Sequence, residues 1–236
     1  MNMAKPVCVI TGVGDGTGAA LAHRFAHGGY QVAMLARNRD RLAALQSDID
    51  DARAFECDIS DLNLLSEVVD RIRTEMGQPS VLIHNAVSAT FTSFLEADSN
   101  VLEHNFRVNT TSLYQLAREL APAMIASGQG SIMVTGNTAA LRGIPTYAAF
   151  APTKAAQRIL AQSLARDLAP KGVHVAYIMI DAVIDTPWTR EAFNRAEPDD
   201  FFSKPVDIAD EVFHVAHQPR STWSFDVEIR PYGEKW

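Results

Sequence analysis

Short apolar runs alternate along the chain with longer stretches whose apolar residues recur every three or four positions. The runs of strand length are PVCVIT (6–11), QVAMLA (31–36), ARAFEC (52–57), SVLIHN (80–85), SIMVT (131–135), HVAYIMI (174–180) and FDVEI (225–229). Most carry Val, Ile or Leu on both faces, which predicts parallel strands covered on two sides. Between them the helical period predicts helices near 17–28, 39–49, 61–76, 99–127, 147–169 and 207–217. In the first, Leu21, Ala22, Phe25 and Ala26 form the apolar stripe, while His23, Arg24 and His27 fall on the water side. Strand and helix alternate almost throughout, so the expected fold class is α/β. It is a doubly wound sheet of about seven mainly parallel strands, with right-handed crossovers and helices on both faces. The least regular stretch, 185–206, holds three prolines and several acidic residues and predicts a mobile loop on the binding edge.

Directly after the first strand run comes TGVGDGTG (11–18), opening the first helix. Glycines let a backbone turn tightly and approach a pyrophosphate. A helix N-terminus adds unpaired N–H groups at the positive end of its dipole. A glycine cluster alone marks only a turn; placed strand–loop–helix at the head of a βαβ pattern, it predicts a dinucleotide site and a Rossmann-type fold. The second strand ends in Ala36-Arg37-Asn38. A carboxylate to grip a ribose 2′-hydroxyl is absent there, and Arg37 can pair with a 2′-phosphate, which favours NADP(H) and leaves NAD(H) open. Asp15 pulls the other way, because it sets negative charge inside the glycine loop.

Composition narrows the class without changing the fold. A chain of 236 residues, 47% apolar and 21% charged, suits one well-buried domain over 1–236. A net charge of −7 with no run of Lys or Arg argues against nucleic acid and anionic membranes. No apolar stretch approaches the roughly 18 residues of a membrane span. The start, MNMAKPVCVIT, enters the first strand run within a few residues, so no signal peptide is expected. Cys8 and Cys57 lie in apolar strand contexts and read as buried thiols of a reducing compartment, hence a cytoplasmic location. His23 and His27, like His214 and His217, have ligand spacing but no third partner, so no metal is expected.

Together TGVGDGTG (11–18), CDISD (57–61), HNA (84–86), RVNTTS (107–112), GSIMVTGNTAALRG (130–143), YAAFAPTKAA (147–156) and IDTP (184–187) make the chain resemble the short-chain dehydrogenase/reductase family over nearly its whole length. The resemblance implies that Thr11, Gly12, Gly14, Gly16, Thr17 and Gly18 cradle the cofactor and that Asp58 reaches adenine. It puts Asn85 and Ala86 in the turn after the fourth strand, Ile184 and Thr186 against the nicotinamide end, and Lys154 on the nicotinamide ribose. It also implies a homodimer or homotetramer formed through the segments 99–127 and 147–169.

The catalytic positions depart from that pattern. The family's Asn and Lys fall on Asn109 and Lys154, but its Ser falls on Asn137 and its Tyr on Phe150. A phenol beside Lys⁺ exchanges the substrate proton, whereas a phenyl ring has nothing to titrate, and losing a general acid costs about 10²–10⁴-fold. The position itself is expected to face the nicotinamide. Tyr147, taken as two helical turns before Lys154, is not expected to replace the missing acid. Asn137 can donate to a carbonyl oxygen, and Asp181 closes the sixth strand where ligands bind. Two readings follow: an NAD(P)(H)-dependent oxidoreductase acting on a small carbonyl or alcohol with an atypical site, or a catalytically inactive dinucleotide-binding protein. The closing EIRPYGEKW (228–236) brings Arg230, Tyr232 and Lys235 after the last strand, where they tie down the terminus or, by the resemblance, line a neighbour's cleft.

Overall fold

The parallel strands close around a helix on every crossover, and the chain order reverses once, between the first and fourth strands. In the computed structural model, residues 5–192 and 197–233 are described. The strands are β1 (Val7–Thr11), β2 (Gln31–Ala36), β3 (Ala52–Glu56), β4 (Pro79–His84), β5 (Gly130–Gly136), β6 (Val173–Ile180), the two-residue β7 (Val183–Ile184) and β8 (Phe202–Ser203), and β9 (Asp226–Ile229). Seven form one sheet in the order β3-β2-β1-β4-β5-β6-β9, with every neighbouring pair parallel. The helices are α1 (Thr17–His27), α2 (Arg39–Asp48), α3 (Leu62–Met76), α4 (Ser99–Phe106), α5 (Ser112–Ser127), α6 (Ala151–Leu168), α7 (Pro187–Ala192) and α8 (Pro205–Ala216).

Successive strand residues point to opposite faces, and each face builds a core. Val9, Leu35, Leu82 and Val134 pack under α3, α5 and α6 against Leu65, Leu116 and Ala161. Ile10, Met34, Ile83 and Met133 pack under α1, α2 and α8 against Leu21, Phe25, Leu42 and Val212. The all-apolar strand runs follow from this double covering. Local capping fixes where helices begin. Asp61 accepts from the amides of Asn63 and Leu64 at 3.0 and 3.1 Å, and Asn38 accepts from that of Arg41 at 2.9 Å.

Three expectations change. The 99–127 segment is not one helix: a π-helical turn (Arg107–Thr111) separates α4 from α5. Wide turns of this kind free a backbone carbonyl from the ladder and recur at functional sites. The 147–169 segment becomes helical only at Ala151, after a separate 3₁₀ turn, Pro145–Tyr147, with Pro152 early in the helix. The described residues of the 185–206 stretch are built into the fold: β7 pairs with β8, α7 sits between them, and Arg190 bridges Asp185 at 2.7 Å and Asp199 at 2.9 Å.

Candidate functional site

The reversal between β1 and β4 opens a crevice at the carboxyl ends of the strands, where doubly wound sheets take ligands. A cleft of about 1050 Å³ lies there, walled by the glycine loop, the end of β2, the Asp58 turn, the turn after β4 and the start of α7. Gly12 has φ +70°, and a Cβ on it would stand 2.5 Å from the Ala86 backbone. A Cβ on Gly16 would stand 2.8 Å from the Thr186 methyl. Any side chain at either position would therefore collide with the facing wall and push the two sides of the cleft apart. Gly14, Gly18 and Thr17 line the same wall, and the buried Thr17 hydroxyl at the α1 N-terminus has no partner. An unpartnered donor at the positive end of a helix, in a loop kept free of side chains, fits a diphosphate.

Thr11 does not line this cleft. It is fully buried, and its hydroxyl accepts from the amides of Asn85 and Ala86, each at 3.2 Å. Asn85 donates through its side chain to the Gly12 carbonyl at 3.0 Å. Thr11 is thus a brace that locks the two ligand-bearing turns together.

At the other end of the cleft Arg37 is exposed at the end of β2, facing the Asp58 turn. Partial burial raises the Asp58 pKa, but the Ser60 amide and hydroxyl, with the Arg37 and His104 charges, outweigh it and leave the carboxyl below its ordinary value. Asp58 is therefore an ionised acceptor, held by Ser60 through bonds of 2.9 and 2.7 Å. Asp15 does not stand alone in the glycine loop: Arg41, on the first turn of α2, forms an ion pair with it, Nε to Oδ1 2.9 Å. Arg41 and the exposed Trp188 line the cleft without having drawn notice in the sequence. An arginine on a helix and a tryptophan in a Pro-rich loop read as surface until the fold brings them to one edge.

Lys154 is buried on α6, and burial pushes its pKa down to about 7. Its ammonium donates to Gln157 Oε1 and, at 3.4 Å, to the Thr135 carbonyl on β5. The Gln157 amide nitrogen donates in turn to the Asn109 carbonyl at 2.7 Å, which the π turn presents. It also meets His84 Nδ1 at 3.3 Å. His84 Nε2 lies 2.9 Å from Ser112 Oγ, whose own proton goes to the Val108 carbonyl at 2.7 Å. The imidazole is therefore assigned the Nε2–H tautomer; burial first, then the Lys154 charge, pushes it down to about 3 and keeps it neutral. Gln157 and His84 complete the buried network around Lys154; His84 stands within the HNA motif, and Gln157 lies outside every motif quoted from the sequence.

The remaining expected positions separate. The Asn109 side chain is saturated: its oxygen accepts from the Ser88 amide at 2.9 Å, and its nitrogen donates to the Ser88 carbonyl and Thr153 Oγ1, both at 2.8 Å. It pins the loop after β4 to the start of α6. Asn137 follows β5, and its side-chain oxygen is buried without a partner. Asp181 accepts from Thr138 Oγ1 at 3.0 Å. The Phe150 ring is 2% exposed and does not stand open on the cleft wall, contrary to expectation; it packs edge-on to Phe91 and Tyr147 with centroids 5.4 and 5.8 Å away. Tyr147 belongs to the 3₁₀ turn, so the two-turn helical spacing to Lys154 does not apply. Thr186 is buried and shares a hydrogen bond of 2.8 Å with Thr189, and Ile184 lines the cleft. In the tail, Tyr232 is exposed and bonds to Asp200 of its own chain, which raises its pKa, while Lys235 lies outside the described residues. Among the described residues no cluster of His, Cys, Asp or Glu could hold a metal, and no helix is long and apolar enough to cross a membrane.

Comparison with known proteins points one way. The family model described as short chain dehydrogenase matches residues 6–197. An uncharacterized oxidoreductase of Staphylococcus saprophyticus is 25% identical, with 98% of this chain and 99% of the relative covered. A short-chain dehydrogenase from Rhodopseudomonas palustris is 31% identical, covers 96% of this chain and 99% of its own, and superposes with a TM-score of 0.82. A metagenomic short-chain oxidoreductase solved in complex with NADP is 26% identical over 98% of this chain and 99% of its own, with a TM-score of 0.84.

Proposed function

The chain belongs to the short chain dehydrogenase family, and from that premise we propose that it is a nicotinamide-dinucleotide-dependent oxidoreductase acting on a small carbonyl or alcohol, with NADP(H) favoured and NAD(H) admitted. The observation that carries the proposal is the 1050 Å³ cleft whose glycine wall admits no Cβ at Gly12 or Gly16. The solved relative that holds NADP supports the same choice of coenzyme. Arg37 supplies positive charge where the 2′-substituent distinguishes the two coenzymes.

When bound, the coenzyme supplies or accepts a hydride; the protein must place the substrate and handle one proton. Gly14, Gly16 and the α1 N-terminus hold the diphosphate, Asp58 receives the adenine end, and Ile184 and Thr186 close the nicotinamide end. Burial brings the Lys154 pKa down to about 7, and we assign this side chain, held by Gln157 and the Thr135 carbonyl, the proton that the Phe150 ring cannot carry. The unpartnered Asn137 Oδ1 is an acceptor, and we assign it the hydrogen bond from a substrate hydroxyl, which orients an alcohol. Turnover is expected to be slow by the roughly 10²–10⁴-fold that a lost general acid costs. We further infer a homodimer or homotetramer through α5 and α6, and a cytoplasmic location in keeping with the buried, unbridged Cys8 and Cys57.

The alternative reading, a dinucleotide-binding protein without turnover, draws on the packed Phe150 ring and the saturated Asn109 side chain. Two measurements separate them. NADPH is expected to bind the purified protein at micromolar levels, and no calorimetric or fluorescence signal with either nicotinamide would remove both readings. Phe150→Tyr is expected to raise reduction of generic aldehydes and diketones at least tenfold. If instead no variant turns over and Phe150→Tyr only destabilises, by the roughly 1–3 kcal/mol of an unsatisfied buried hydroxyl, the binding-only reading stands.

A further inference from the structure

Asp15 and Arg41 form an ion pair inside the cleft. Arg41 Nε lies 2.9 Å from Asp15 Oδ1 across the gap between the glycine loop and the first turn of α2. Both residues line the cleft, as do Arg37 and Asn38. The pair is only partly shielded, with side-chain exposures of 39% for Arg41 and 67% for Asp15. An exposed pair is weak and readily exchanged for a better partner. Its anchor is firmer, since Asn38 caps α2 by accepting from the Arg41 amide at 2.9 Å, so the arginine backbone stays put when its side chain changes partner.

A 2′-phosphate is a stronger acceptor for a guanidinium than one carboxylate oxygen, because its oxygens take the planar fork two at a time. A 2′-hydroxyl offers no such competition. We propose that the Asp15–Arg41 pair is the coenzyme-selecting element of this cleft: Asp15 competes with a 2′-phosphate for the Arg41 guanidinium, so a 2′-phosphorylated coenzyme binds by displacing the carboxylate, whereas a 2′-hydroxyl coenzyme leaves the pair closed. The proposal rests on the dinucleotide reading above and adds a residue-level cause for a mixed preference. Arg37 attracts the phosphate, while Asp15 opposes it twice, by occupying Arg41 and by repelling the incoming charge.

The test uses the whole chain and needs no turnover. Dissociation constants are measured by calorimetry for NADPH, NADH, adenosine 2′,5′-bisphosphate and 5′-AMP, with wild type, Asp15→Asn, Arg41→Gln and the double variant, at low and high salt. Both side chains are solvent-facing, so the variants are expected to fold. Asp15→Asn should tighten NADPH and the bisphosphate about threefold to tenfold, most at low salt, and move NADH and AMP less than twofold. Arg41→Gln should weaken only the two 2′-phosphorylated ligands, and in that background the Asp15→Asn gain should fall to the smaller part owed to charge repulsion. Equal shifts for NADPH and NADH, or an Asp15→Asn gain undiminished in Arg41→Gln, would overturn the latch while leaving the dinucleotide reading intact. Failure of all four ligands to bind wild type would instead remove that reading, and the latch with it.

Discussion

A lysine with 2% of its surface exposed is held in the core by what its ammonium touches. Burial disfavours the charged form, and Lys154 drops from 10.5 to about 7. Between those values the unfolded chain binds a proton that the folded chain does not, so this site makes stability rise with pH from about 7 to about 10.5. Below pH 7 both states are protonated and the full cost of the buried charge is present. Lys154→Met removes the titration. Wild type should therefore gain stability relative to Lys154→Met as urea midpoints are compared at pH 6, 8 and 9.5; a difference that stays flat would show the ammonium charged throughout. Gln157→Leu removes the nearer of the ammonium's two acceptors and the side-chain donor to the Asn109 carbonyl, which should cost about 1–3 kcal/mol. At this scale motif spacing led to Lys154 and its buried contacts, whereas the expectation that Phe150 faces the nicotinamide failed, because its ring packs on Phe91 and Tyr147. Gln157 and Arg41 were not legible, since a polar residue on a helix carries no mark of the partner that folding brings to it.

Elements were legible wherever one periodicity ran unbroken, and they failed where a local geometry interrupts it. The seven strands of the main sheet came out within a residue or two: the five inner ones are buried on both faces, and the edge strands β3 and β9 mix apolar with charged residues. The 99–127 segment keeps helical spacing across the π turn, so periodicity cannot see the one extra residue that swings the Asn109 carbonyl toward Gln157. The start of α6 was placed too early because Pro145–Tyr147 is helical but follows a different, tighter winding. The end of β5 offers a test of element packing. A Cβ on Gly136 would lie 2.0 Å from the Tyr177 ring, in the register where β5 meets β6. Gly136→Ala should cost about 1–3 kcal/mol by overpacking, read as a lower thermal midpoint. It should also loosen Asn137, the next residue, so substrate turnover should fall more than NADPH affinity. Equal losses in both would mean that the strain spreads through the sheet and does not stay at the strand end.

The whole molecule presents its cleft at one edge and two long helices, α5 and α6, on one face of the sheet. Their inner sides carry Leu113, Leu116, Leu120 and Ala161 into the core. Their outer sides leave Tyr114 and Ile159 about half exposed, at 52% and 55%. One exposed apolar residue is ordinary, but large apolar side chains on two helices of the same sheet face make a surface that a second copy can cover. Arg158 strengthens the case for rigidity there: its fork pairs with Asp226 at 3.0 and 2.5 Å, fixing α6 to β9 and so holding the face in one shape. Light scattering at tens of micromolar is expected to give a dimer or tetramer. Tyr114→Glu with Ile159→Glu should shift it to monomer, because a charge buried at an interface without a partner is costly. Coenzyme affinity should survive that shift, since neither residue lines the cleft. A wild type that is monomeric at that concentration would dismiss the assembly through α5 and α6, and a monomeric double variant that has lost NADPH binding would show that the cleft is completed by the neighbouring copy.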